Sequence, residues 1–371
     1  MKKLIYCSTV PMSLNIFCRG LLSRMAQICE VVAVSSPGED LNEIAEREKV
    51  RCIPIQMRRE IAPVADLRSL HQLVRLFRRE KPDAIHSFTP KAGLLCMMAA
   101  KIARVPIRIH TFTGLVWPTS TGIKRLVIRT TDRLTCACAS HIIAEGQGVR
   151  NDLIQGGITD KPVDVLGYGN LRGIDLDYWQ SAPRPASRQA VTPSLRFIFV
   201  GRLVPDKGIN ELIQAFQQLV SSYPACTLTL IGWHEPSTPL LPETMQAIQH
   251  HPAIHLVGRQ DDVRPYYQEA DCLVFPSYRE GFPNVVLEAG AMGLPSIVTD
   301  INGSREIIRQ GENGIIIPPR DAEQLLVAMR YMLEHPNERK HMAEAARPLI
   351  AARFDQKYVR KCQIDYYKRI F

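Results

Sequence analysis

What most narrows the fold of this chain is an alternation of short apolar runs and amphipathic stretches that stops near residue 180 and then starts again. In the first half, strand-like runs fall at Lys2–Thr9, Val31–Ser35, Cys52–Ile55, within Lys81–Ser87, and at Ile107–Thr111 and His141–Ala144. Helical spacing fills the intervals: Ser13 (as a cap) to about Cys29, a stretch ending near Lys49, Asp66–Arg79, Lys91–Ala103 and Gly122–Ala137. Residues 180–194 are proline-rich and aperiodic, as linkers are. The pattern resumes with strands at Leu195–Val200, Cys226–Ile231, Ile254–Val257, Cys272–Phe275, Ser296–Thr299 and Gly314–Ile317, interleaved with helices that end in Ala322–Glu334 and Glu338–Arg353. Strands separated by helices imply a parallel sheet covered on both faces. The expected class is α/β, as two tandem doubly wound, Rossmann-like domains: 1–180, then 181–354, with an amphipathic segment 355–371 packing back on the first. A length of 371 residues suits two cores better than one. Ligands of such sheets sit outside the carboxyl ends of the strands, so the expected site is a cleft between two facing sheets.

Charge separates the halves. Residues 1–180 hold 25 Lys/Arg against 17 Asp/Glu, residues 181–354 hold 16 against 18, and the tail holds 5 against 2. A basic first half suits an anionic partner, an acidic membrane surface before nucleic acid, because no nucleic-acid motif accompanies it. The ten cysteines contain no Cys-x-x-Cys and read as reduced thiols of a cytoplasmic protein. Met1-Lys-Lys-Leu-Ile-Tyr-Cys reads as a first strand rather than a signal peptide, and the apolar run Gly93–Ala100 is cut off by Lys101, far short of a membrane span.

Chemistry concentrates in two stretches of the second half. In Ser277–Pro295 a strand end leads through a loop into a helix. Pro283 is expected at the first helical position, leaving the N–H groups of Asn284 and Val285 at a helix N-terminus, which favours phosphate. Glu280 lies just outside that helix and Glu288 about a turn and a half inside it, where their carboxylates can accept hydroxyl hydrogen bonds. Alone, the pair reads equally as a loop glutamate and a solvated helix glutamate. In the other stretch, Phe199–Gly208, Arg202 and Lys207 follow a strand end between Gly201 and Gly208. Two cations there can hold a diphosphate and neutralise it as a leaving group. The Gly-x-Gly-x-x-Gly and Gly-x-x-x-x-Gly-Lys-Ser/Thr fingerprints are absent, so neither a hydride enzyme nor a P-loop ATPase is indicated.

Gly201-Arg-Leu…Lys207-Gly, Gly258-x-x-x-Asp262-Val, Ala270-Asp271, Pro276-Ser277 and Glu280-Gly-Phe-Pro-Asn…Glu288-Ala occur in that order. The set resembles the retaining nucleotide-sugar glycosyltransferases of family 4, with the GT-B fold. In the first half Lys81-Pro-Asp-Ala-Ile-His86-Ser, Ile142-Ile-Ala and Gly169-Asn-Leu-Arg-Gly-Ile-Asp175 resemble most the branch that builds capsules and O-antigens on a polyprenyl diphosphate. The resemblance implies a hexosyl- or N-acetylhexosaminyl-transferase with a UDP-linked donor and no metal or other cofactor. It implies that Arg202 and Lys207 hold the donor diphosphate, Glu288 the ribose and Glu280 the sugar. Backbone from Gly281 and Phe282 through Pro283, Asn284 and Val285 would meet phosphates and sugar, and residues around Arg259 the base. Arg202, Lys207 and Glu280 are the expected catalytic residues.

One position departs from the family pattern. Members often carry a histidine before a glycine after a first-domain strand; here Thr113 precedes Gly114, and His110 lies three residues earlier. Thr113 can donate a hydrogen bond but is no general base near neutral pH. For the acceptor, the expected residues are Lys91, His110, Thr113, Gly114, Trp117, Lys124 and Arg125. A lipid diphosphate would dock near Lys91, with the helix carrying Lys124 and Arg125 on an anionic membrane and Trp117 at its interface. That places the protein in the cytoplasm, peripheral on the inner face of the cell membrane. Asp175-x-Asp177 imitates a metal motif but sits beside the linker, in a run that resembles the GT-B pattern, and His250-His251 is a helix-end pair with no third ligand at metal spacing. The alternatives are a nucleotide-sugar 2-epimerase of the same fold and a non-catalytic nucleotide-sugar-binding subunit.

Overall fold

The apolar runs form two parallel sheets in a computed structural model that describes residues 1–60, 62–180 and 194–371. The expected linker, residues 180–194, falls almost wholly outside the described residues. The chain divides into two compact units, Met1–Gly173 with Gln356–Phe371, and Ile174–Asp355.

In the first unit the strands are β1 (Lys3–Cys7), β2 (Glu30–Ser35), β3 (Arg51–Pro54), β4 (Ala84–Phe88), β5 (Ile107–Phe112), β6 (His141–Ala144) and β7 (Val163–Asp164). They lie in the order β3-β2-β1-β4-β5-β6-β7, with every pairing parallel. The second unit holds β8 (Arg196–Val200), β9 (Thr227–Ile231), β10 (Ile254–Gly258), β11 (Cys272–Phe275), β12 (Ser296–Thr299) and β13 (Gly314–Ile317), in the order β10-β9-β8-β11-β12-β13. Its central strands are apolar on both faces, because helices cover both: Phe197, Phe199, Leu228, Leu230 and Val274 are all fully buried. Both sheets reverse their winding once, between β1 and β4 and between β8 and β11. Such switch points open a crevice beyond the strand ends, where ligands of doubly wound sheets bind.

Several elements differ from the periodicity. The helix expected from Ser13 to Cys29 is two pieces, Pro11–Phe17 and Leu22–Met25, and it starts at Pro11 with Val10 as its cap. Glu48, a buried residue from another helix, accepts the N–H groups of Gly20 (2.7 Å) and Ser23 (3.1 Å), and this claims the backbone between the pieces. Strand β7 and the helices Gln147–Gln155 and Ser304–Ile307 are short and carry little periodicity to read. Ile174 pairs with Asp355, and Trp179 packs against Tyr267, within the second unit. The tail forms a helix, Gln356–Ile370, whose Arg360 is buried in the first unit and donates to the carbonyls of Arg19 (2.6 Å), Leu171 (3.1 Å) and Phe17 (3.3 Å). All ten cysteines are free thiols.

Candidate active site

At the switch point of the second sheet, the loop after β8 and the loop after β11 lie against each other. Gly208 shows how close they come: its φ is +72°, and a Cβ there would sit 2.1 Å from the Pro276 carbonyl oxygen. No side chain fits, so the β8 loop can turn into its helix, Ile209–Ser222, only with glycine. Tyr278 N–H donates to Asp206 O (2.9 Å), tying the two loops by backbone.

This packing brings together the residues that the sequence separates. Lys207 Nζ makes an ion pair with Glu280, both side chains mostly buried, and lies 5.3 Å from the Phe275 ring centroid. Ser277 Oγ donates to the same Glu280 oxygen at 2.7 Å, so the carboxylate is held from two sides. Arg202 reaches the other way and pairs with Glu235 in the loop after β9. Glu235 was no part of the expected site; its only signal was a carboxylate at a strand end, and no motif distinguished it.

The helix after β11 begins one residue later than expected. Pro283 is the cap (φ −73°, ψ 106°), not the first helical residue, and the helix is Asn284–Ala291. Val286 N–H donates back to the Pro283 carbonyl (3.2 Å), and the first turn opens at Asn284 and Val285. Phe282 anchors the approach: it is buried, with its ring centroid 5.4 Å from that of Phe354. Gly281 and Pro283 are buried beside it. Glu288 is 8% exposed, which overturns the reading of a solvated helix glutamate. It faces Tyr267, whose phenol is pushed well above its ordinary pKa first by burial and then by the Glu288 charge. Arg259, beyond the end of β10, is exposed and stands 5.7 Å over the ring of Trp233. Thus Gly201, Arg202, Lys207, Glu280 and the Phe282–Glu288 segment share one edge of one sheet. The edge offers two cations, a helix N-terminus and two carboxylates, a set that suits an anionic ligand bearing hydroxyls.

In the first unit the expected residues divide. His110 is buried on β5, its Nδ1 2.9 Å from Ser87 Oγ, and burial pulls its pKa down to about 3. It is a neutral core histidine, not an accessible base. Lys91 is not an open docking cation: it pairs with Asp66 at 2.6 Å and donates to the Glu60 carbonyl at 2.7 Å. Trp117 is 6% exposed and lies beneath the guanidinium groups of Arg129 (4.9 Å) and Arg125 (5.7 Å), so it cannot rest at a membrane interface. Thr113 and Gly114 follow β5 and are half-buried, whereas Lys124 and Arg125 are exposed on the helix Gly122–Cys138. Of the metal imitations, Asp175 uses one carboxylate oxygen to accept the N–H groups of Asp177 and Tyr178 (both 3.1 Å), and His251 Nδ1 accepts from Ala253 N–H (3.2 Å). Among the described residues no three His, Cys, Asp or Glu gather in a group that could hold a metal ion.

Residues 185–348 match the family model described as glycosyl transferases group 1, and residues 15–169 match the glycosyl transferase 4-like domain. The capsular polysaccharide biosynthesis glycosyltransferase CapM of Staphylococcus aureus is 31% identical over 89% of this chain and 87% of its own length. The chain is a GT-B glycosyltransferase of family 4, belonging to polysaccharide biosynthesis. A second relative of this glycosyltransferase is the UDP-Gal:alpha-D-GlcNAc-diphosphoundecaprenol alpha-1,3-galactosyltransferase of Escherichia coli, 26% identical over 73% of this chain and 71% of that one. Among solved structures, HepE of Anabaena in complex with UDP-glucose superposes with a TM-score of 0.78 at 20% identity, over the whole of both chains. The glycosyltransferase assignment sets the epimerase alternative aside.

Proposed function

We propose that this glycosyltransferase moves a hexosyl or N-acetylhexosaminyl group from a UDP-linked donor to a lipid-linked saccharide, with retention and without a metal. The observation that carries the reading is the pairing of Lys207 with Glu280 beside the Asn284–Ala291 helix end, at the switch point of the second sheet. The donor is suggested by HepE, solved with UDP-glucose, and the acceptor by the E. coli relative, named for transfer to a diphosphoundecaprenol-linked sugar.

In this reading the donor diphosphate lies on Arg202, Lys207 and the helix end, Glu288 takes the ribose hydroxyls and Glu280 those of the sugar. Breaking the bond from the anomeric carbon to the phosphate oxygen leaves the electron pair on UDP, where the two cations and the helix dipole stabilise it. The acceptor hydroxyl attacks from the face that UDP leaves, and its proton passes to a phosphate oxygen, so no protein base is needed. Thr113 then contributes at most a hydrogen bond to the acceptor side. The enzyme works in the cytoplasm, peripheral on the inner face of the membrane that holds the lipid.

The test is incubation with a panel of nucleotide sugars and a polyprenyl-diphosphate-linked saccharide, with EDTA present. Release of UDP with a glycosylated lipid product supports the reading. Transfer only from another nucleotide's sugars corrects the donor; transfer only after a metal is restored removes the metal-independent mechanism.

A further inference from the structure

The chain has three tryptophans. Trp117 and Trp179 are buried, and Trp233 alone is open, 48% exposed beyond the end of β9. An indole on the surface needs no explanation by itself, but the placement of this one is built. Gly232 is held so close to the β8 loop that a Cβ there would lie 1.8 Å from the Gly201 carbonyl oxygen. On its other side, Gly232 N–H donates to Gly258 O (3.0 Å), and Leu203 N–H donates to Trp233 O (2.9 Å). Three strand ends are therefore laced together around Trp233. Arg259 comes from the β10 end and stands over the ring, while Glu235, two residues beyond Trp233, holds Arg202. Along this edge the order is Arg259 and Trp233, then Arg202, then Lys207 with Glu280. The aromatic platform thus lies one to two strand spacings, about 5–10 Å, from the strand ends that carry Lys207 and Glu280, within the reach of a nucleoside diphosphate whose phosphates rest on the cations.

We propose that Trp233 is the stacking platform for the planar base of the donor, with Arg259 fixing the ring. The inference rests on the nucleotide-sugar reading of the same edge. Every base offers a flat face, so the platform supplies affinity for the base and orients the nucleotide, while hydrogen bonds elsewhere choose which base it is.

Because the other two tryptophans are buried, the difference in emission between the wild type and the Trp233 variants, and quenching by iodide, report this residue. UDP and inorganic pyrophosphate are titrated onto the wild type, Trp233→Ala and Trp233→Phe, with emission and calorimetry read together. Expected are quenching of the wild type by UDP, loss of that quenching in both variants, and a dissociation constant for UDP about tenfold higher in Trp233→Ala, the loss of one base–aromatic stack. Trp233→Phe keeps most of the affinity, and pyrophosphate binds all three alike. If Trp233→Ala binds UDP as tightly as the wild type, the platform is wrong and the donor reading stands. If no nucleoside diphosphate binds the wild type, the donor reading falls and takes the platform with it. Should Trp233→Ala not fold, protection of the wild-type indole from iodide by UDP decides the point: protection supports the platform, and none overturns it.

Discussion

Lys207 and Glu280, 73 residues apart in sequence, form an ion pair across the ends of two neighbouring strands, β8 and β11. Ser277 Oγ holds the same carboxylate from its other side. Under the proposed donor reading, a diphosphate oxygen would replace this carboxylate on Lys207. Replacing Lys207 by Met is expected to lower kcat by on the order of 100-fold or more, as removal of a fixed charge-stabilising donor does. Steady-state kinetics with a saturating donor check this. Glu280→Gln keeps the Ser277 contact but not the charge, and is expected to lose less.

Arg202 is held by Glu235 in the same way, but at a more exposed position. If the donor phosphate binds Arg202 as proposed, it must displace Glu235, so Glu235→Gln should bind UDP several-fold more tightly at low salt, and the gain should shrink as salt screens the site. Calorimetric titration at two ionic strengths measures both effects. Unchanged affinity would mean that Arg202 does not meet the diphosphate.

The two sheets and most helices were legible because buried strands and amphipathic helices have different apolar periods. Ala322–Glu334 was read to the residue. The helix near Ser13 was not, because its break depends on Glu48, a side chain from another element. The same distinction runs through the site. The placement of Lys207, Glu280 and Glu288 along one sheet edge could be anticipated because each sits in a motif with a fixed offset from a strand end. Glu235 could not, and Lys91 and His110 were misjudged, since Asp66, Ser87 and the burial that neutralise them come from distant parts of the chain. Local sequence tells where a residue stands along an edge; its partners depend on the fold.

Two buried groups give stability opposite pH dependences. His110, at about 3 in the fold against an ordinary 6.5, is neutral when folded; its contribution is full above pH 6.5 and is lost as pH falls towards 3. Asp132, on the helix Gly122–Cys138, is raised by burial from 3.8 to about 7; its contribution is full below pH 3.8 and is lost as pH rises through 7. Asp132→Asn, which cannot ionise, should therefore unfold at a higher temperature than the wild type at pH 8, by about 2–4 kcal/mol in stability, with the advantage gone near pH 4. Melting curves from pH 4 to 8 check it. An advantage that does not change with pH would mean that Asp132 does not titrate as argued.

Arg360 fixes the C-terminal helix by hydrogen bonds to backbone carbonyls. It is 2% exposed, meets three backbone carbonyls and the Gln363 side-chain oxygen (2.9 Å), and burial draws its pKa down to about 10. Arg360→Ala strands several buried acceptors, so a loss of about 2–4 kcal/mol is expected. Arg360→Lys, with three donors in place of a planar fork, should recover only part of it. Chemical denaturation of the two variants ranks them.

The first unit leaves apolar side chains exposed among cations. Ile123, Leu126 and Val127 stand open on the helix that carries Lys124 and Arg125, and Val64 and Leu67 on the helix Pro63–Glu80, near Arg58 and Arg68. Among the described residues no helix is long and apolar enough to cross a bilayer, but one such face can lie along its surface, the cations drawn to anionic headgroups and the apolar side chains inserted among them. Trp117 takes no part, being buried beneath Arg129. Binding to vesicles containing phosphatidylglycerol is expected at low salt and should weaken as salt rises. A double change, Ile123→Glu with Leu126→Glu, removes apolar area and adds negative charge together, so it should abolish cosedimentation while leaving UDP binding intact. A charge-only change, Lys124→Gln with Arg125→Gln, should weaken binding by about 2 kcal/mol in total, since each cation near an anionic surface contributes about 1 kcal/mol. If the wild type stays in the supernatant at low salt, this face does not meet the membrane.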